Sequence, residues 1–251
     1  MSIVSTQFAS RVTLLRDKVE SFERYPFSLP AIRTLDFIDL HPKITFLVGE
    51  NGSGKSTLLE ALAVSLGFNA EGGSGNFTFG TRASHSELHA CLRVAKGYRR
   101  RRDGFFLRAE SWFNLGTEIE RLDAEPLGGP PIVNSYGGRS LHEQSHGESF
   151  MALLKKRLGS DGLYLLDEPE AALSPTRQIE ALQRLHELVL KGSQFVVATH
   201  SPILMAYPDA LILHCGPDGI RPIAYEDTEH FRITRDFLLH RDKVLAIVMD
   251  R

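Results

Sequence analysis

The sequence predicts an α/β protein: a mainly parallel sheet flanked by helices, with an antiparallel β part and a small inserted helical lobe. Three observations predict it. Short apolar runs at residues 44–48, 163–166, 195–198 and 210–213 read as strands buried on both faces. Amphipathic segments at 55–66 and 176–191 alternate with them, and strands that alternate with helices pair in parallel. From about residue 111 to 146 that rhythm breaks, as an inserted lobe would break it.

Each element has a local reason. Residues 31–40 alternate Ile32, Leu35, Phe37 and Leu40 among Pro26, Pro30 and Pro42, and read as short extended pieces. The helix at 55–66 places Leu58, Leu59, Leu62 and Leu66 on one face, and Gly67 ends it. Residues 70–80 are glycine-rich and read as a loop. Leu88, Ala90, Leu92 and Val94 alternate with polar residues, and Phe105, Leu107 and Ala109 mirror them, which predicts a hairpin. Trp112, Leu115, Ile119 and Leu122 stand at helical spacing. A Pro/Gly-rich connector follows at 125–139, then a helix at 147–158. Gly216-Pro217-Asp218-Gly219 turns the last buried strand towards 220–225, and a final helix is expected over 228–249.

Composition narrows the class. The chain has 251 residues, 42% hydrophobic and 24% charged, which is ordinary for one or two globular domains. Cys91 and Cys215 are too few for a disulfide framework. No run approaches the roughly 18 apolar residues of a membrane helix. The first ten residues lack a secretory pattern. The net charge of −2 gives no global attraction to nucleic acid or acidic membranes. A cytoplasmic globular protein is the expectation.

Gly49-Glu50-Asn51-Gly52-Ser53-Gly54-Lys55-Ser56 satisfies the phosphate-loop pattern, with a buried strand before it and a helix after. Glycines let backbone N–H groups wrap phosphates, and the helix aims its positive end at them. Lys55 would reach the outer phosphates, and the Ser56 hydroxyl would ligate magnesium. Thr57 faces the helix or the α-phosphate. Downstream, Asp167 and Glu168 stand at the C-terminal end of a buried strand, where ligands of open α/β sheets bind. There Asp167 would hold magnesium through water and Glu168 would polarise the attacking water. Ser145, Gly147 and the first N–H groups of the next helix form an anion site; the alternative is a simple N-cap with Glu148 in the first turn.

In this order the motifs resemble the ATP-binding-cassette (ABC) ATPase superfamily, over most of the stretch 44–200. Ser145-His146-Gly147-Glu148 resembles the family signature, Ser-x-Gly-Gln/Glu, although Gln144 and His146 depart from the usual leucine and glycine. Asp167-Glu168-Pro169 is the acidic motif, and Ala171-Ala172-Leu173-Ser174 matches the loop that crosses between subunits. The resemblance implies an ABC-type P-loop ATPase fold, with ATP and magnesium as substrate and cofactor. It implies a head-to-tail homodimer in which each signature caps the other subunit's ATP. It makes His200 the switch histidine at the γ-phosphate. Where the family carries a glutamine that links magnesium to the lobe, the strand 104–109 ends in Glu110: either Glu110 takes that place or the link is missing. Tyr25 is either the adenine-stacking aromatic or a residue packed beside Pro26.

The stretch between Lys55 and Ser145 is too short for the long coiled coils of chromosome-maintenance and double-strand-break-repair ATPases. The wording from Asp167 to Pro175 nevertheless looks like small stand-alone bacterial ATPases related to those repair heads. Arg99-Arg100-Arg101-Arg102 is either a solvated tip or a contact to a DNA backbone. Three roles are therefore open: an ATPase linked to DNA repair or defence, the energy subunit of a transporter with a membrane permease partner, or an ATP-timed dimerisation switch.

Overall fold

A computed structural model describes residues 7–74, 86–108, 112–125 and 130–249, and its strands sort into two sheets. In chain order they are β1 (Ala9–Leu14), β2 (Phe37–Asp39), β3 (Ile44–Val48), β4 (Leu92–Lys96) and β5 (Asp103–Arg108). Then come β6 (Gly162–Asp167), β7 (Gln194–Ala198), β8 (Leu211–Gly216) and β9 (Gly219–Pro222). The smaller sheet is antiparallel, in the order β2-β1-β4. The larger runs β5-β6-β7-β3-β8-β9 and is parallel throughout, except where β9 turns back on β8.

The helices are α1 (Pro30–Arg33), α2 (Lys55–Ser65), α3 (Trp112–Ala124), α4 (His146–Ala152), α5 (Pro175–Leu190), α6 (Pro202–Met205), α7 (Glu229–Leu239) and α8 (Arg241–Val248). A strand covered on both faces must be apolar on both, and successive residues of β6 show it. Leu163 and Leu165 enter one core with α2 and the small sheet, whereas Tyr164 and Leu166 enter a second with α3, α4 and α5. Helix α5 needs only one apolar stripe, Ala181, Leu185 and Leu188, because its other side faces water.

The two sheets are tied by Gln194, which is fully buried at the start of β7. Its Oε1 accepts from the N–H groups of Phe8 and Ala9 at 2.9 and 3.1 Å. Its Nε2 donates to Ala9 O at 2.7 Å and His41 O at 2.9 Å. A buried amide with all these bonds made satisfies itself and the backbone at the start of β1 together.

The structure corrects four local readings. Residues 92–108 form no hairpin: β4 pairs with β1, and β5 crosses to pair in parallel with β6. Phe105 and Phe106 are both fully buried, which a strand with one wet face cannot provide. Leu88 and Ala90 lie in a 3-10 turn, Glu87–Cys91, rather than a strand. Residues 30–33 are helical, since the fixed φ of Pro30 suits a first helical position. The helix expected over 228–249 breaks at His240 into α7 and α8. Of the expected lobe, α3 and the 3-10 turns Ile132–Tyr136 and Leu141–Glu143 are described. Glu110, Ala109, and residues 75–80 of the glycine-rich loop lie outside the described residues.

Candidate nucleotide site

β3 delivers the chain to Gly49 at the C-terminal edge of the large sheet. Here the backbone passes so close to β8 that a Cβ on Gly49 would lie 2.2 Å from Cys215 O. The loop then reaches α2 through Gly54, whose φ of +101° is left-handed, and no side chain caps the helix. The first N–H groups of α2 are thus left without a side-chain acceptor, as an anion site requires. Lys55 is only 4% exposed, and its Nζ donates to Gly49 O and Glu50 O, both at 2.8 Å. Burial holds its pKa below the ordinary lysine value, against the upward pull of Cys215, Glu168 and Asp167. The Ser53 hydroxyl is buried in the same loop with no partner. An orphaned hydroxyl, a buried ammonium and an uncapped helix start together fit a polyphosphate.

Ser56 Oγ donates to Asp167 Oδ1 at 2.9 Å, so the first turn of α2 and the end of β6 meet. Those two oxygens fit magnesium, which takes one or two protein ligands and completes its shell with phosphate and water. Among the described residues no group of three or more His, Cys, Asp or Glu could hold a metal ion. Tyr25 is 67% exposed, and its hydroxyl lies 3.4 Å from Thr57 Oγ1, at the rim of the loop.

Glu168 follows Asp167 with φ +47°, a conformation that costs a non-glycine residue about 1–3 kcal/mol and often marks functional positions. Its N–H bonds Ala198 O at 2.9 Å, which locks that bend to β7. Beyond β7 the chain reaches His200, whose Nε2 lies 3.5 Å from Glu168 Oε1. The His200 N–H donates to Glu170 Oε1 at 2.6 Å, and its Nδ1 lies 2.8 Å from His230 Nε2 on α7. Sequence reasoning missed Glu170 and His230; neither stands in a pattern that sets it apart from other polar residues.

The signature segment starts α4. Ser145 accepts from Glu148 N–H at 3.3 Å, and the Glu148 carboxylate accepts from Ser145 N–H at 3.0 Å and its hydroxyl at 2.8 Å. This reciprocal cap is the N-cap alternative in full, and the Ser145 hydroxyl and N–H hold the Glu148 carboxyl below the usual carboxylate range. Gly147 is pressed against the 3-10 turn Pro169–Ala172, where a Cβ would meet Ala172 O at 2.8 Å. A cavity of about 540 Å³ is bordered by Ser145, Gly147, Phe150, Glu168, Ala172 and Arg177. The structure therefore brings the signature segment beside Glu168 within one chain.

The arginine cluster is partly committed to the fold. Arg99 is ion-paired with Asp161. Arg101 lies over the Phe68 ring at 4.2 Å and donates to Leu66 O at 3.0 Å. Arg100 and Arg102 remain exposed, Arg102 with its Nε 3.8 Å from Asp161. Among the described residues no helix is long and apolar enough to cross a membrane.

Comparisons with known proteins agree with this geometry. Residues 21–115 match a family model described as "AAA domain", and residues 148–206 one described as "AAA domain, putative AbiEii toxin, Type IV TA system". The hemin import ATP-binding protein HmuV of Nocardia farcinica is 32% identical over 203 residues, 74% of this chain and 69% of that protein. The ABC transporter G family member STR2 of Medicago truncatula is 28% identical over 181 residues, 63% of this chain but only 24% of that protein's length. Among solved structures, MJ1267, an ATP-binding cassette of an ABC transporter, superposes with a TM-score of 0.53 at 17% identity, covering 93% of this chain and 97% of the other. With the phosphate loop, the acidic strand end and this sheet order in place, the chain belongs to the ABC-type P-loop ATPases.

Proposed function

We propose that the chain binds ATP with magnesium and hydrolyses it as a head-to-tail homodimer. The Ser56–Asp167 bond carries the reading, because it places a metal-ligating hydroxyl, an acidic residue and the uncapped start of α2 at one point. In this reading the N–H groups of residues 52–56 and Lys55 hold the β- and γ-phosphates, and Lys55 exchanges its two carbonyls for them. Ser56, and Asp167 through water, would hold magnesium, and the ion would neutralise phosphate charge. Glu168 accepts a proton from the attacking water, and His200 donates from Nε2 to the γ-phosphate. Tyr25, exposed at the rim beside Thr57, offers a face to adenine. Glu110, outside the described residues, either links magnesium to the lobe or leaves that link missing.

The dimer follows from the second anion site. A partner's ATP is the ligand proposed for Ser145 and Gly147, as the family resemblance implies. The whole chain acts as one ATPase domain, with residues 111–146 as its lobe. Glu168→Gln tests the reading: hydrolysis should fall by about a hundredfold or more while ATP stays bound. Light scattering should then find a dimer with ATP and magnesium, and a monomer without them. A variant that remains monomeric at saturating ATP removes the sandwich.

The relatives favour a second reading, the energy subunit of a transporter, since HmuV is named as an import ATP-binding protein. Co-purification of a membrane permease would support it. A DNA partner draws less support, because Arg99 and Arg101 are bonded within the protein.

A further inference from the structure

His200 is tethered at its N–H by Glu170 and at Nδ1 by His230, and its remaining ring nitrogen, Nε2, is buried without a hydrogen bond and lies 3.5 Å from Glu168 Oε1. In the 2.8 Å contact between the rings, one nitrogen must donate and the other accept. The two assignments leave opposite groups at the far edge of His200. If His200 Nδ1 donates, Nε2 presents a lone pair to the Glu168 carboxylate at 3.5 Å, and the two repel. If His230 Nε2 donates, the His200 proton sits on Nε2 and is attracted to the same carboxylate. Burial first, then the nearby His200 and Lys55, hold His230 below the ordinary histidine value, which favours its neutral form.

We propose that His230, on the C-terminal helix α7, is a positioning residue that fixes the tautomer of His200. Its Nε2–H donates to His200 Nδ1 and keeps the His200 proton on Nε2, aimed at Glu168 and the phosphates. The consequence for turnover rests on the ATPase reading above; the tautomer itself does not. In a neutral histidine the proton rests on one nitrogen, and the hydrogen bond made by the other decides which. The reaction edge is thereby coupled to a helix that has no buried residue of its own.

The test uses the full chain labelled with ¹⁵N-histidine, without nucleotide, with His200→Asn to assign the signals. The wild type should show His200 protonated at Nε2 and bare at Nδ1. His230→Leu should give a mixture of tautomers and lower kcat by about 10- to 100-fold with KM for ATP unchanged. His230→Gln, whose amide supplies a donor, should restore both. A wild-type His200 protonated at Nδ1 overturns the proposal, as does a His230→Leu protein with unchanged spectrum and kcat. Should His230→Leu fail to fold, the wild-type spectrum and His230→Gln decide alone. A chain that never turns over ATP sinks the ATPase reading, while the spectra still decide the role of His230.

Discussion

Two helix starts face the candidate site, and they treat their free N–H groups in opposite ways. Helix α2 begins at left-handed Gly54 with no capping side chain, beside a buried Ser53 hydroxyl that bonds nothing. Helix α4 begins at Ser145, whose hydroxyl accepts from Glu148 N–H while Glu148 returns two bonds. The first is open and waits for an anion. The second is closed by a carboxylate of its own. In the proposed dimer a partner's phosphate at α4 would have to displace that carboxylate, whereas the start of α2 is already open.

The largest expected effect breaks the open side. Lys55→Ala removes the buried ammonium and should abolish ATP binding; tight binding measured by calorimetry would refute the assignment of the loop. Next comes Ser145→Arg in the Glu168→Gln background. It should destroy the ATP-trapped dimer while each monomer still binds ATP, and a surviving dimer in light scattering would place the closed side outside the interface.

Smaller effects sharpen the contrast. Ser145→Ala removes the cap and should cost about 1 kcal/mol in denaturant unfolding, a typical value for a lost N-cap. A change near zero would mean that the box contributes nothing to the resting fold. The cap also has a pH signature. Since Glu148 titrates below its usual range in the folded chain, its contribution is complete above the usual carboxylate value and is lost as pH falls through the lowered one. The acid limb of unfolding should therefore shrink in Glu148→Gln; an unchanged limb argues against the box. The smallest effect belongs to the arginines. Changing Arg100 and Arg102 to Ser should reduce the salt slope of any DNA binding by about one per phosphate contact, and an unaltered slope returns both to solvent.

The phosphate loop and the acidic strand end were legible because their chemistry is local. Gly49 to Ser56 and Asp167-Glu168 need only their own backbone turns to be recognised, and the apolar runs around them mark the strands. Strand pairing was less legible, because alternation states which residues are buried but not by whom. The mirrored patterns of β4 and β5 suggested a hairpin, yet the crossing arginines bind Asp161 and Leu66, and the strands part to different sheets. Gln194 and His230 were silent for the same reason: their partners, Ala9 and His200, lie far away in sequence. The capping box was written in the spacing of Ser145 and Glu148, and the structure adds that it is closed.

The amide clamp of Gln194 has a consequence for how the chain is made. Phe8 leaves the ribosome long before its partner, which is 186 residues away. At about 5–20 residues per second, that gap lasts roughly ten to forty seconds. Strand β3 waits alongside it, since both of its neighbours, β7 and β8, are translated late. During that interval Ile44, Phe46, Leu47 and Val48, all buried in the finished sheet, lack both strand neighbours. The first third of the protein is thus dependent on its last third, and a stalled or truncated translation product presents a sticky, unpaired strand to chaperones and to other copies of itself.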